Sequence, residues 1–384
     1  MPASVRYSGS RTSWKTFAVL ILKGGNGSRA FALEGALEFR FFPNSERALS
    51  SLVAISADIL ATHETLLGKD VSACVRAFGN TRPVSTDAAD PRFFYGGGRV
   101  LITMNSLAGN SGMGWPSRLL WLDGASRDDL IRSQSVYDSA CTSQEVTRTA
   151  KLTTISNSPF CMTTFFGFDN RCGLPPFVPV YRNQDGLFGQ LVGHIFPESR
   201  FGYFPLALVH SPTERRRFVP GQIRAYHGLR LPHFIGLLLD TVQRSVGPAT
   251  SSRMMRRMGR ELKEFGSLPL SDAREILQAH CCRELTGRLN YLDGLLERHG
   301  SLPEFWAADV KAYATSVRTA ITDPMRLLPV DVRRDCGEDA LTAVRDLIGR
   351  FGSLVESWPD MMEAAQWLRE RGQPLAPSVE ETAR

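Results

Sequence analysis

The sequence predicts a mixed α/β domain over residues 1–230 followed by an all-α domain over residues 231–384. Up to about residue 230, short apolar or β-branched runs alternate with Gly, Pro, Asn and Asp turns, with a few helical patterns between them. Beyond it, strand signals give way to long apolar stripes at helical spacing. The length of 384 residues also exceeds what one hydrophobic core usually organises, so two packed units are expected.

Taken in order, "FAVLIL" reads as an opening strand that runs into the glycine-rich "KGGNGSR". "SSLVAISADILATHETLLG" places Leu52, Ile55, Ile59, Leu60, Leu66 and Leu67 at helical spacing and stops at Gly68, which predicts one helix. His63 falls on it among apolar neighbours and is read as a packed core residue without a role. "RVLITMNSL" and "SRLLWLDG" predict strands, "SRDDLIRSQSVYDSAC" a helix, and "SPFCMTTFFG" another strand. A turn through "LPPF" then leads to "RNQDGLFGQLV", which opens a helix, and "LALVHSP" ends a short strand.

In the second region Ile276, Leu277, Leu285, Leu289, Leu292 and Leu296 form one stripe between Asp272 and Gly300. Ser301 and Glu304 stand at capping-box spacing with Pro303 at the first helical position, predicting a helix over 302–321. Two amphipathic segments follow, Gly337 to Phe351 and Pro359 to Arg371, and "QPLAPSVEETAR" reads as a frayed tail.

A formal charge of +6, with arginines gathered in "TERRRF" and "SSRMMRRMGREL", suits an anionic ligand such as a phosphate. No recognition helix, zinc-finger spacing or aromatic-and-basic strand motif accompanies that charge, so nucleic acid is not the expected partner. The basic helix and the helices after it leave a peripheral membrane or protein partner as an alternative use. Seven cysteines, an odd number without a Cys-x-x-Cys pair, fit reduced thiols in a cytoplasmic protein. The longest apolar runs fall well short of the roughly 20 residues that span a bilayer. The N-terminus does not read as a signal peptide.

The polar cluster Arg182, Asn183, Gln184 and Asp185 lies between Tyr181 and the apolar Leu187 and Phe188, at the start of the helix just described. Free N–H groups and the helix dipole at such a position stabilise an ionised Asp, which serves either as a cap or as a general base. Arg182 either anchors a phosphate or carboxylate or pairs with Asp185.

Gly167, Asn170 and Arg171, a turn with Phe177, then Arg182-Asn-Gln-Asp185 before an apolar helix resemble the acceptor-side half of the GT-A-fold glycosyltransferases. The resemblance runs from about Ser158 to Pro212, with Gln184 where the family commonly has Glu. It implies a GT-A-like, Rossmann-like mixed sheet and transfer of a sugar from a nucleoside diphosphate to an acceptor. It makes Asp185 the catalytic base and assigns Arg182, Asn183, Gln184, Asp169, Asn170 and Arg171 to substrate binding. It also makes His210 a candidate for holding a divalent metal, Mn or Mg, or the diphosphate.

The family's donor half carries an Asp-x-Asp metal motif at a strand end. The nearest counterparts are Asp87 with Asp90 and, better placed, Asp123, which closes "LLWLD" but has Ala125 where the second carboxylate would stand. Asp123 is therefore either a metal ligand or a turn former, and the first 38 residues are expected to be a shortened or altered donor half. Two alternatives stand beside this reading. The missing acidic pair suits a non-catalytic relative that binds a partner protein. Gly24, Gly25, Gly27 and Arg29 after the first strand are similar to the phosphate loop of sugar nucleotidyltransferases.

Overall fold

The computed structural model describes residues 19–22, 31–34, 39–42, 52–53, 59–77, 97–110, 114–145, 147–150, 153–162, 166–210, 213–243 and 250–373. The glycine-rich loop 23–30, with Gly24, Gly25, Gly27 and Arg29, and the pair Asp87 and Asp90 lie outside the described residues.

The first part is mixed α/β. Four short strands, β1 (Val19–Leu22), β2 (Phe31–Glu34), β3 (Phe39–Phe42) and β4 (Leu52–Val53), precede helices α1 (Ile59–Glu64) and α2 (Val71–Ala77). The long strand β5 (Arg99–Gly109) follows, then a 3-10 turn (Pro116–Trp121) and helices α3 (Gly124–Ile131) and α4 (Gln134–Thr142). Strands β6 (Thr147–Ala150), β7 (Thr153–Ser156) and β8 (Phe166–Phe168), helix α5 (Gln184–Ile195) and strand β9 (Ser199–His210) complete it.

β5 and β9 are parallel neighbours at the centre of the sheet, paired from Arg99 opposite Ser199 to Gly109 opposite His210. Each is long enough to take two partners along one edge. β9 pairs β7 through Phe201–Tyr203 and β1 through Leu206–Leu208, while β5 pairs β8 through Ile102–Met104 and β6 at Leu107. Between Asn105 and Ser106 the register slips, opposite Pro205. Proline has no N–H to give to a ladder, so β9 bulges there, and the Ser106 hydroxyl donates to the Phe204 carbonyl at 2.9 Å.

The two strands feed both faces, β5 switching sides at the irregularity between Val100 and Ile102. Val100, Phe204 and Leu206 pack under Leu66, Val71 and Cys74, whereas Ile102, Met104, Phe201 and Tyr203 pack against Phe188 and Val192 of α5. His63 is buried on the first face, 2.7 Å from the Thr103 hydroxyl and edge-on to Phe204, as a packed core histidine.

From residue 231 the described chain is helical: α6 (Leu231–Gln243), α7 (Ser251–Ser267), α8 (Leu270–Arg298), α9 (Glu304–Ile321), α10 (Val330–Cys336) and α11 (Ala340–Glu370). α7 and α11 lie antiparallel in backbone contact. A Cβ on Gly266 would come within 2.5 Å of the Gly349 Cα, and one on Gly352 within 2.6 Å of the Lys263 nitrogen. One apolar cluster joins Leu120, Leu130, Leu187 and Leu191 to Leu239, Leu277, Trp306 and Ile348, so residue 230 does not separate two cores. Among the described residues, no helix is long and apolar enough to cross a membrane.

Several local expectations change. Of the helix expected over "SSLVAISADILATHETLLG", the described residues form Ile59–Glu64, while Leu52 and Val53 are strand instead and pair with Leu22 and Ile21 in the sheet. "SRLLWLDG" forms the 3-10 turn rather than a strand, started by Pro116, which lacks the donor a ladder needs. The helix expected from "SRDDLIRSQSVYDSAC" is two helices, broken at Ser133, whose hydroxyl caps the second by accepting from the Val136 N–H. Of the described residues in "SPFCMTTFFG", Phe166 and Gly167 are strand and begin β8, while 158–162 are not.

The capping box at Ser301 does not form. Ser301 has a left-handed φ of 57°, and Pro303 itself precedes the first helical residue, Glu304. The two segments expected at the end are one helix that continues through the buried Pro359. Tertiary packing there outweighs the hydrogen bond that proline removes.

Candidate functional site: an arginine-lined cleft at the strand ends

α5 is followed by a three-residue reversal and then β9, which directs the amino end of α5 toward the carboxyl half of β9. In sheets with parallel central strands, ligands sit outside the carboxyl ends of those strands. Arg148 on β6 lies opposite Leu107 of β5, and Leu107 is opposite Leu208 of β9, close to that edge.

Arg148 lays its guanidinium over the Phe160 ring at 3.9 Å. Burial first, and then the charge of Arg118, bring its pKa down to about 9. Arg118, in the 3-10 turn, is also lowered by burial and by the charges of Arg230, Arg288 and Arg182, with Asp185 acting the other way. It keeps access to solvent while protein surrounds it on most sides, as a side chain in a deep cleft does. Its backbone N–H donates to the Trp115 carbonyl at 3.3 Å, which fixes the start of the 3-10 turn that carries the side chain. Arg230, just before α6, lies 5.8 Å from the ring centre of Trp115 and is lowered by burial and by Arg182.

Five arginines from five segments therefore crowd one space near Asp185. Glu284 pairs with one of them, Arg288, at 2.8 Å, and an entering anion would offset the repulsion that Arg118 and Arg230 feel from the neighbouring guanidinium groups. His233 on α6 belongs to the same group: burial, then Arg288, Arg118 and Arg230, push its pKa down to about 4, so it is neutral at pH 7.

A cavity of about 350 Å³ opens beside Gly186 and shares Arg288 and His233 with this cleft. Asn183, at φ 84°, is the N-cap residue of α5, and its side-chain nitrogen lies 3.4 Å from His233 Nε2. Asp185 stands in the first turn and accepts from the Gly186 N–H at 2.9 Å. It is therefore not the N-cap, and its carboxylate is placed at the cleft by the helix rather than spent on starting it.

The sequence-predicted residues divide into four places. Arg182, Asn183, Gln184 and Asp185 sit together at the amino end of α5. His210 ends β9 at the same strand edge, opposite Gly109, and its side chain lies outside the described residues.

Asp169, Asn170 and Arg171 are at the other edge. The Asp169 N–H donates to the Leu101 carbonyl at 2.8 Å, its carboxylate takes Arg171 Nε at 2.7 Å and lies 3.5 Å from Arg99, and Arg171 reaches the Gly68 carbonyl. The hydrogen bonds from Arg171 hold the Asp169 carboxyl below its ordinary range. Arg99 and Leu107 are eight residues apart on β5, so roughly 25 Å separates this cluster from the arginine cleft. The structure does not bring the two together.

Asp123 is at a fourth place. It caps α3 by accepting from the Gly124 N–H at 2.8 Å, and it also holds His299 Nε2 at 2.8 Å and Arg298 at 3.1 Å. Against burial, these bonds from Gly124, His299 and Arg298 lower its pKa. Both carboxylate oxygens are engaged by donors, which is the environment of a cap and clamp and does not suit a metal ligand. Among the described residues no group of three or more His, Cys, Asp or Glu is arranged to hold a metal ion.

Sequence reading missed Arg118, Arg148, Arg230, His233 and Arg288. Their available signal was the arginine excess, with Arg182 and Arg230 each standing just before a helix. Gathering them required the long-range packing of α6 and α8 against the sheet edge.

No protein-family model matches the chain, and comparison with curated proteins and with solved structures also gives no match.

Proposed function

We propose that the chain binds a multiply charged phosphorylated ligand in the arginine-lined cleft, and that it transfers a sugar from a nucleoside diphosphate to an acceptor hydroxyl activated by Asp185. The observation that supports this most is the position of Arg118 at the strand ends, within reach of the charges of Arg182, Arg230, Arg288 and the Asp185 carboxylate, with Arg148 close by over the Phe160 ring. Perturbed, like-charged groups in a cleft mark a site built for an opposite charge. The GT-A-like reading places a base and a diphosphate at such an edge, and Asp185 with the arginines supplies side chains suited to both.

In that reaction Asp185 accepts the proton of the acceptor hydroxyl while the acceptor oxygen bonds to the anomeric carbon. The bond from that carbon to the diphosphate oxygen breaks, and its electron pair leaves on the diphosphate. Guanidinium groups fixed where this charge develops stabilise it without reorganisation, and their planar forks match phosphate oxygens. No step is assigned to a metal.

Calorimetric titration of the full chain with pyrophosphate and a panel of nucleoside diphosphates, with and without manganese, tests the reading. Binding that is lost on replacing Arg118 and Arg230 supports it. Absence of binding to every one of these anions overturns it and favours a non-catalytic, partner-binding protein.

A further inference from the structure

Arg230 and Arg182 reach the cleft from different segments, and both segments contact the same short helix, α10. Arg230 is bracketed through the backbone. Before it, the Leu229 carbonyl accepts from the Val330 N–H at 2.8 Å. After it, the Leu231 N–H donates to the Asp331 carboxylate, 3.1 Å from one oxygen and 3.4 Å from the other. Asp331 is buried and also accepts from the Val332 N–H at 3.0 Å, so its side chain is fixed from within its own helix. Gly228, at a left-handed φ of 87°, lets this contact close, because a Cβ there would come within 2.9 Å of the Val330 Cβ.

Arg182 stands between two residues in left-handed backbone, Tyr181 at φ 62° and Asn183 at φ 84°. A tyrosine keeps that conformation only where its surroundings fix it. The Tyr181 hydroxyl donates to Asp335, one turn beyond Asp331 on α10, and Asp335 also accepts from Arg334 Nε at 2.7 Å. On the other side of Arg182, the Asn183 side-chain nitrogen lies 3.4 Å from His233, three residues past Arg230. The charge of Arg182 acts on Arg230, so the two guanidinium groups are close enough to repel and need a restraint to stay together.

We infer that α10 is the positioning element of the anion cleft: Asp331 and Tyr181 hold Arg230 and Arg182 at a fixed separation against their repulsion, so that both engage one ligand carrying two phosphates. The inference rests on the proposed anion site and adds to it residues that act only through the arginines. Side chains placed before the ligand arrives need not be ordered by it, which lowers the cost of binding. A single phosphate can be held by either arginine alone and gains little from their spacing.

The experiment is calorimetric titration of the full chain with pyrophosphate and with inorganic phosphate, for the wild type, Asp331→Leu, Asp331→Asn and Tyr181→Phe, with urea midpoints measured alongside. Asp331→Leu and Tyr181→Phe are each expected to weaken pyrophosphate about tenfold, the worth of roughly one hydrogen bond, and phosphate by less than about threefold. Asp331→Asn keeps an oxygen for the Leu231 N–H and is expected to restore most of the pyrophosphate affinity lost in the leucine variant. A purely structural role would lower the urea midpoint and leave the ratio of the two affinities unchanged. Tyr181→Phe carries the test alone if the leucine variant fails to fold. Equal losses for the two anions, or wild-type pyrophosphate affinity in the folded variants, overturn the positioning role and leave the anion site standing. A wild type that binds neither anion overturns the anion site and this role with it.

Discussion

Tyr137 on α4 donates its hydroxyl to Asp309 Oδ2 of α9 at 2.9 Å, joining residues that are 172 positions apart. The other oxygen of Asp309 takes Arg224 Nε at 2.6 Å. Burial, with the nearby Cys141 and Asp309, raises the tyrosine pKa, so its proton stays in place to donate. This contact ties the α/β part to the helices. Asp309→Ala leaves a buried hydroxyl without its acceptor and is expected to cost about 1–3 kcal/mol. With the shared apolar cluster, it also predicts one cooperative transition in urea for the whole described fold. Two separated transitions by fluorescence and circular dichroism would contradict it.

Asp185→Asn tests the base. The variant keeps the shape of the side chain, and the N-cap of α5 is Asn183, so the thermal midpoint should stay near the wild-type value. Transfer to an acceptor should fall about 10²- to 10⁴-fold, the usual worth of a positioned general base. Initial rates with a nucleoside diphosphate sugar measure this, and an unchanged rate removes Asp185 from the chemistry.

Arg118→Met separates a ligand site from a structural one. Removing one charge from the crowd relieves repulsion from Arg230 and Arg288. The melting temperature should hold or rise, while pyrophosphate affinity drops about tenfold or more, the worth of a charge-assisted hydrogen bond. A fall in stability with affinity intact would identify Arg118 as part of the scaffold.

Acid should weaken the fold before the carboxylates titrate. His63 has its pKa lowered from 6.5 to about 4, first by burial and against a hydrogen bond with Asn105. Above pH 6.5 the imidazole is neutral in both folded and unfolded chains, and its stability contribution is complete. As pH falls from 6.5 to 4 the unfolded chain takes up the proton and the folded one does not, so stability drops by about 3 kcal/mol and then levels. His233 adds a loss of the same sign. Urea midpoints between pH 4 and 8 measure the slope, and His63→Gln is expected to flatten it. A flat wild-type profile would refute the assignment.

By itself the sequence determined the class of the chain and most of its helices. The stripe from Ile276 to Leu296 became α8, and "RVLITMNSL" became β5, because apolar periodicity records which face each element buries. It also located the amino end of α5, where Arg182 to Asp185 interrupt an apolar pattern. Local chemistry failed where packing outweighed it, as in the helix that continues through Pro359 and the box at Ser301 that does not close. Tertiary structure alone decided which charges meet. Asp169 lies 16 residues before Asp185 in the chain, yet it stands at the opposite strand edge with Arg99 and Arg171. Arg288, 103 residues beyond Asp185, comes to the same cleft. Electrostatic partners are set by distance in space, and burying apolar stripes brings polar residues together wherever the faces happen to join; no spacing along the chain carries that information.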